Sequence, residues 1–120
     1  MAGRASKEAR RRLASAEAAR TAGDARAFYA AVSLALKSVI EGRLGESVGS
    51  LTHPQLRKRL AERGMADDLS RAVVDELEAI EFARFSATGA KPEEMDSQLT
   101  RARDLIAKLD RFVPTPLEDA

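Results

Sequence analysis

The stretch that decides the fold is ARAFYAAVSLALKSVIEGRL, residues 25–44. Its large apolar side chains recur every three or four residues, which places them on one face of an α-helix. They are Phe28, Val32, Leu36, Val39, Ile40 and Leu44. Asp24 is suited to cap the start of this helix, and Gly45 is suited to end it. The stretch therefore predicts a long amphipathic helix, with Tyr29 beside its apolar face.

The sequence on either side predicts four further helices. They cover about residues 6–22, 52–64, 67–83 and 92–112. The clearest start belongs to the third helix, because Thr52 and Gln55 form a capping box. Short turns join all of these helices, which favours antiparallel neighbours. The sequence thus predicts an all-α fold, a small bundle of about five helices.

The chain is expected to divide into three parts. Residues 1–12 are predicted to be a basic lead-in, residues 13–113 the helical bundle, and residues 114–120 a frayed tail. The tail is expected because Pro114 and Pro116 end the last helix.

Composition excludes several classes of site. The chain of 120 residues contains no cysteine, which rules out disulfides, thiolate zinc sites and cysteine nucleophiles. Its 20 Lys and Arg nearly balance its 19 Asp and Glu, whereas a dedicated nucleic-acid-binding domain usually has a clear basic excess. No apolar run approaches the roughly 18–20 residues that a transmembrane helix requires.

Few residues are candidates for catalysis or metal binding. His53, the one histidine, lies in the first turn of the third predicted helix without an evident nucleophile nearby, so it is interpreted as a solvent-facing or turn residue. Asp75, Glu78 and Glu81 share an i, i+3, i+6 spacing but lack a Glu-x-x-His pair, and they are interpreted as a solvated helix face. No glycine-rich phosphate loop is present. We therefore expect no catalytic residues, no cofactor and no metal ion, and a non-enzymatic function.

Two basic clusters could bind a partner or simply face solvent. The first consists of Arg4, Lys7, Arg10, Arg11 and Arg12. It is typical of a membrane-proximal segment on the cytoplasmic side. The second consists of Arg57, Lys58, Arg59 and Arg63. It could contact phosphates in a helix-turn-helix arrangement, although the acidic fourth helix would repel a DNA backbone.

Three phenylalanines near helix ends, Phe82, Phe85 and Phe112, are interpreted first as core or helix-end packing. The alternative is that an exposed phenylalanine anchors a partner protein, because aromatic anchors dominate the energy of many interfaces. The candidate partner surface consists of Tyr29, Arg84 and Phe85.

Four strings, taken in order, resemble the C-terminal cytoplasmic domain of the BatD oxygen-tolerance family. They are GDARAFYAA (residues 23–31), EGRLG (41–45), LTHPQL (51–56) and EFARF (81–85). The likeness covers about residues 13–112. It implies a helical domain at the cytoplasmic face of a bacterial inner membrane, in a protein that also has a membrane span and an exported part. It implies no catalytic residues.

The resemblance also implies partners, since such proteins are encoded beside von Willebrand factor A-domain proteins and a MoxR-type AAA+ ATPase. The leading hypothesis is therefore a protein–protein interaction module of an oxygen-tolerance or stress protein. Nucleic-acid binding through the second basic cluster is the alternative, and an enzyme of unrecognised type is the third possibility.

Overall fold

The computed structural model describes residues 3–86 and 90–116, apart from the side chains of residues 3–6. The described residues form five α-helices and no strand. The helices are α1 (Gly3–Thr21), α2 (Ala25–Leu44), α3 (His53–Glu62), α4 (Asp67–Phe85) and α5 (Pro92–Arg111). The predicted small all-α bundle is confirmed. Among the described residues, no helix combines the length and the apolar character that crossing a bilayer requires.

The helix boundaries follow from local capping. Asp24 Oδ1 accepts a hydrogen bond from the Ala27 N–H at 3.1 Å, which begins α2. Gly45 ends α2 with a φ of 71°, a left-handed conformation that favours glycine. At the start of α3, the Thr52 hydroxyl accepts from the Gln55 N–H at 3.2 Å, and Gln55 Oε1 accepts from the Thr52 N–H at 2.9 Å. This reciprocal pair is the predicted capping box.

The helix α2 lies at the centre of the bundle and packs against α1, α4 and α5. Its Val32, Leu36 and Val39 are fully buried, as the spacing of the stretch predicts. The other helices contribute Ala16 (α1), Leu60 (α3), Val73, Leu77 and Ile80 (α4), and Ala102 and Leu109 (α5) to the same core. The short helix α3 packs on α4.

The helix α1 runs without a break through the boundary that was expected between residues 12 and 13. Ala9, inside the predicted lead-in, is 1% exposed, and Ala16 is fully buried. Small alanine side chains on one face allow α1 to pack closely on α2, and an ion pair between Arg103 and Glu17 links α1 to α5. The described part of the lead-in therefore belongs to the packed bundle, which corrects the expected boundary.

The start of the predicted frayed tail is also held against the bundle. The Thr115 N–H donates to the Arg63 carbonyl at 2.8 Å, and Arg63 Nε donates to the Thr115 carbonyl at 2.7 Å. Arg43 Nε donates to the Phe112 carbonyl at 3.0 Å. The bundle therefore extends at least to Thr115, two residues beyond the expected limit, because two arginines bind the backbone there. Residues 117–120 lie outside the described residues.

Candidate interaction surface

The helix α4 has an outer face that carries two exposed phenylalanines. Phe82 is 75% exposed and Phe85 is 88% exposed. Phe82 follows the buried Ile80 by two residues, which turns its side chain about 200° around the helix and away from the core. The interpretation of Phe82 and Phe85 as core packing is therefore wrong. Phe112, in contrast, is partly buried against the core, in agreement with that interpretation.

A cleft between α4 and α5 has a volume of about 390 Å³. We call it the α4–α5 cleft. Its lining residues are Ala79 and Ala83 of α4, Glu93, Glu94, Ser97, Gln98 and Arg101 of α5, and Tyr29 of α2. Phe82 lies at the edge of the cleft, because residues three apart on a helix are surface neighbours and Ala79 precedes it by three.

The three residues of the predicted partner surface do not lie together on the surface. Phe85 and Arg84 are exposed at the end of α4. Tyr29 is only 3% exposed and packs edge-on against Phe28, with ring centroids 5.1 Å apart. The prediction for Tyr29 is therefore corrected: its ring is part of the core. The sequence carries a signal for this position, because Tyr29 is spaced from Val32 and Leu36 by three and seven residues.

Burial raises the pKa of the Tyr29 hydroxyl above its ordinary value of 10.0, and the nearby Glu94 carboxylate raises it further, against a smaller opposing effect of Arg101. Because the pKa of Tyr29 is higher in the folded than in the unfolded chain, its contribution to the free energy of unfolding is fully present below pH 10.0. That contribution is lost as the pH rises through the folded-state pKa.

We expect the absorbance titration of tyrosinate to report Tyr29 alone, because the chain has one Tyr and no Trp. Its midpoint should lie above that of the urea-unfolded chain, and Glu94→Gln should move it downward by removing the carboxylate charge. The glutamine keeps an oxygen that can accept the hydrogen bond that Glu94 takes from the Lys91 N–H. Equal midpoints in the folded and unfolded chains would contradict the burial of this hydroxyl.

His53 has partners that the sequence interpretation did not anticipate. Its Nδ1 lies 3.2 Å from Glu78 Oε2, and its Nε2 lies 3.4 Å from the Glu81 carboxylate. Lys37 Nζ lies 3.9 Å from the same Glu81 carboxylate. His53 is therefore only partly exposed and joins α3 to α4, which corrects its interpretation as a solvent-facing residue. No sequence signal identifies these partners, since they lie 25 and 28 residues away and meet only when α3 packs on α4.

His53, Glu78, Glu81 and Lys37 form a cluster of polar side chains that connects helices. Both imidazole nitrogens face carboxylates, so neither is placed to take a proton from a hydroxyl nucleophile. In the described part of the chain, no group of three or more histidine, aspartate or glutamate side chains has an arrangement that could hold a metal ion.

A polar groove of about 490 Å³ runs between α3 and α4 beside His53. Its charged side chains neutralise one another: Arg57 Nη2 lies 3.1 Å from Asp67 Oδ1, and Arg71 Nη2 lies 3.0 Å from Asp67 Oδ2. The hydrogen bond and charge of Arg57, followed by the charge of Arg71, lower the pKa of the Asp67 carboxyl below its ordinary value.

The second basic cluster does not form one basic surface. Arg57 pairs with Asp67, and Arg59 Nε lies 3.6 Å from Glu46 Oε1. Lys58 is exposed. A surface for nucleic-acid phosphates needs several unneutralised cations on one face, so this arrangement weakens the predicted phosphate contact.

Arg63, the fourth member of that cluster, is 8% exposed and belongs to the interior. Its Nη1 donates to the Leu44 carbonyl at 3.0 Å and lies 3.2 Å from Glu46 Oε2, while its Nε binds Thr115 as described above. Arg63 therefore joins the end of α2, the following loop and the C-terminal segment, and the prediction that it contacts nucleic acid is corrected. Its spacing from Leu60 and Leu56, three and seven residues, places it on the buried face of α3.

The first basic cluster is partly described. Lys7, Arg10 and Arg11 are exposed, and Arg12 Nε lies 2.9 Å from Glu8 Oε2. The side chain of Arg4 lies outside the described residues. The described basic side chains thus lie away from the buried alanine face of α1, and their proximity to a membrane stays a prediction.

Comparison of this chain with protein-family models, with curated proteins and with solved structures finds no match.

Proposed function

We propose that this domain is a non-enzymatic protein–protein interaction module and that the outer face of α4 binds the partner. The observation that carries the proposal is the exposure of two phenylalanines, 75% for Phe82 and 88% for Phe85, on adjacent turns of one helix. Monomeric proteins seldom leave neighbouring aromatic side chains in water, and such patches are typical of interaction surfaces.

Burial of the two rings would contribute favourably to binding at this face. Transfer of one phenylalanine side chain from water to an interface contributes about 2 kcal/mol, which corresponds to roughly 30-fold in affinity. Both rings lie on a regular helix whose opposite side is packed on the core, so little backbone entropy is lost when they bind.

The resemblance to the BatD family supports a place and a set of partners for this proposal. The domain would function at the cytoplasmic face of a bacterial inner membrane, in a protein concerned with oxygen tolerance or stress. Its partner would be a MoxR-type AAA+ ATPase or a von Willebrand factor A-domain protein encoded beside it.

The proposal is tested by biolayer interferometry with those two proteins from the same genome. We expect one of them to bind the wild-type domain, and the double substitution Phe82→Ser with Phe85→Ser to weaken binding by about tenfold or more. Val113→Ser is the matched control, because Val113 is 78% exposed but lies after α5. Circular dichroism should find all variants equally folded, since exposed side chains contribute little to stability.

Two results would overturn this function. One is that neither protein binds the wild-type domain. The other is that the Phe82 and Phe85 substitutions change affinity no more than Val113→Ser does.

A further inference from the structure

We infer that the occupant of the α4–α5 cleft is a cationic amphipathic helix of a separate protein. This inference rests on the proposed function, because Phe82 lies at the edge of the cleft, and it adds the secondary structure and the charge of the partner.

The charge around the cleft is acidic. Glu93 and Glu94 line its α5 wall, in the first turn of that helix, and both are exposed. Two exposed carboxylates therefore line the cleft, which favours lysine or arginine in the occupant.

The basic residue that lines the cleft does not cancel this charge. Arg101 Nε lies 3.2 Å from both carboxylate oxygens of Glu76, and Glu76 is 8% exposed. The guanidinium of Arg101 is thus held against a buried carboxylate on α4. Its charge neutralises Glu76 and leaves the outer carboxylates to attract a cation.

The shape of the cleft suits a helix. Ala79 and Ala83 are four residues apart and form one wall with only methyl groups, so another backbone can approach closely. Within residues 3–86 and 90–116 every regular element is a helix, so an extended peptide finds no strand edge to pair with. A helix with apolar residues at i, i+3, i+4 and i+7 could place them against the alanines and Phe82.

A second copy of this chain fits the cleft poorly. The cationic helix it could offer is α1, whose exposed side carries Lys7, Arg10 and Arg11. The opposite side of α1 is already buried in its own bundle, as the 1% exposure of Ala9 and the full burial of Ala16 indicate. That helix has no free apolar stripe to place against Phe82.

Fluorescence anisotropy with three labelled peptides tests the inference. The probe is a leucine–lysine peptide with leucine at i, i+3, i+4 and i+7. The first control replaces lysine by glutamate, and the second keeps the composition but scrambles the order. We expect the probe to bind at least about tenfold more tightly than either control, with a Kd that rises with salt.

Two charge-reversal substitutions test whether the probe peptide binds in the cleft. Glu93→Lys in the cleft should raise the Kd of the probe about fivefold, whereas Glu62→Lys, the same charge change at an exposed position of α3, should leave it within about twofold. Equal effects of the two substitutions, or equal binding of the scrambled peptide, would overturn the inference. Dimerisation of the chain that Phe82→Ser abolishes would also overturn it, in favour of a second copy.

Failure of the cationic-helix inference can be distinguished from failure of the proposed function. In one result, a partner protein binds the Phe82 and Phe85 variant more weakly while the leucine–lysine peptide does not bind at all. That result would support the proposed interaction module and contradict the inference of a cationic helix. If partner affinity is unaffected by the phenylalanines, the interaction surface itself is wrong.

Discussion

An Arg63→Met variant is expected to unfold with a free energy about 3 kcal/mol below that of the wild-type protein. The guanidinium binds two carbonyl oxygens, those of Leu44 and Thr115, and the carboxylate of Glu46. Methionine fills a similar volume but cannot donate a hydrogen bond. The carbonyls and the carboxylate would then lose their partner in a site that is mostly shielded from water.

The measurement is urea unfolding followed by far-UV circular dichroism, with Lys58→Met as the control. Lys58 is exposed on α3, the helix that Arg63 caps, so its replacement should change stability by less than about 0.5 kcal/mol. Arg63→Lys should recover little, because one ammonium group cannot reach three acceptors that a guanidinium contacts through separate nitrogens. If Arg63→Met is as stable as Lys58→Met, the C-terminal segment is not held as described.

The second large effect is expected for Ala16→Asp in α1, which should lower the free energy of unfolding by about 4 kcal/mol. Ala16 is fully buried, so the new carboxylate would lie without a partner in the interface between α1 and the rest of the bundle. A loss of this size is a large part of the total stability of a single domain.

Ala18→Asp is the matched control, since Ala18 is exposed two residues further along the same helix. The two variants have the same composition and net charge, so the difference in their urea midpoints isolates the burial of one side of α1. A difference in the free energy of unfolding of less than about 0.5 kcal/mol would mean that α1 is not part of the core.

The helices themselves were predictable because their signals are local. The apolar spacing of residues 25–44 predicts α2, and the capping box of Thr52 and Gln55 predicts the start of α3. In each case the residues that determine the element lie within one or two turns of each other, so no knowledge of the tertiary arrangement is needed.

The side of each helix that faces the core was less well predicted, although part of the signal is present in the sequence. Arg63 continues the stripe of Leu56 and Leu60, and Phe82 departs from the stripe of Leu77 and Ile80. The charge of Arg63 predicts exposure and the hydrophobicity of Phe82 predicts burial, and both predictions are wrong. Position along the helix is the better guide to burial in both cases.

The contacts between helices could not have been predicted from one sequence. His53 meets Glu78 and Glu81, and Arg63 meets Thr115, only because the intervening turns bring distant segments together. The α4–α5 cleft has the same origin, because its walls are separated along the chain and its depth depends on how far apart two helices pack.

The central claim is that the outer face of α4 and the adjoining cleft form the partner surface. Amide chemical-shift mapping of the labelled domain, on addition of the MoxR-type ATPase and of the A-domain protein in turn, tests it most directly. The account predicts that one of them shifts or broadens the amides of Ala79 to Phe85 and of Glu93 to Ser97, with little change around Lys58. Changes centred on Arg57 and Lys58, or none with either protein, would contradict it.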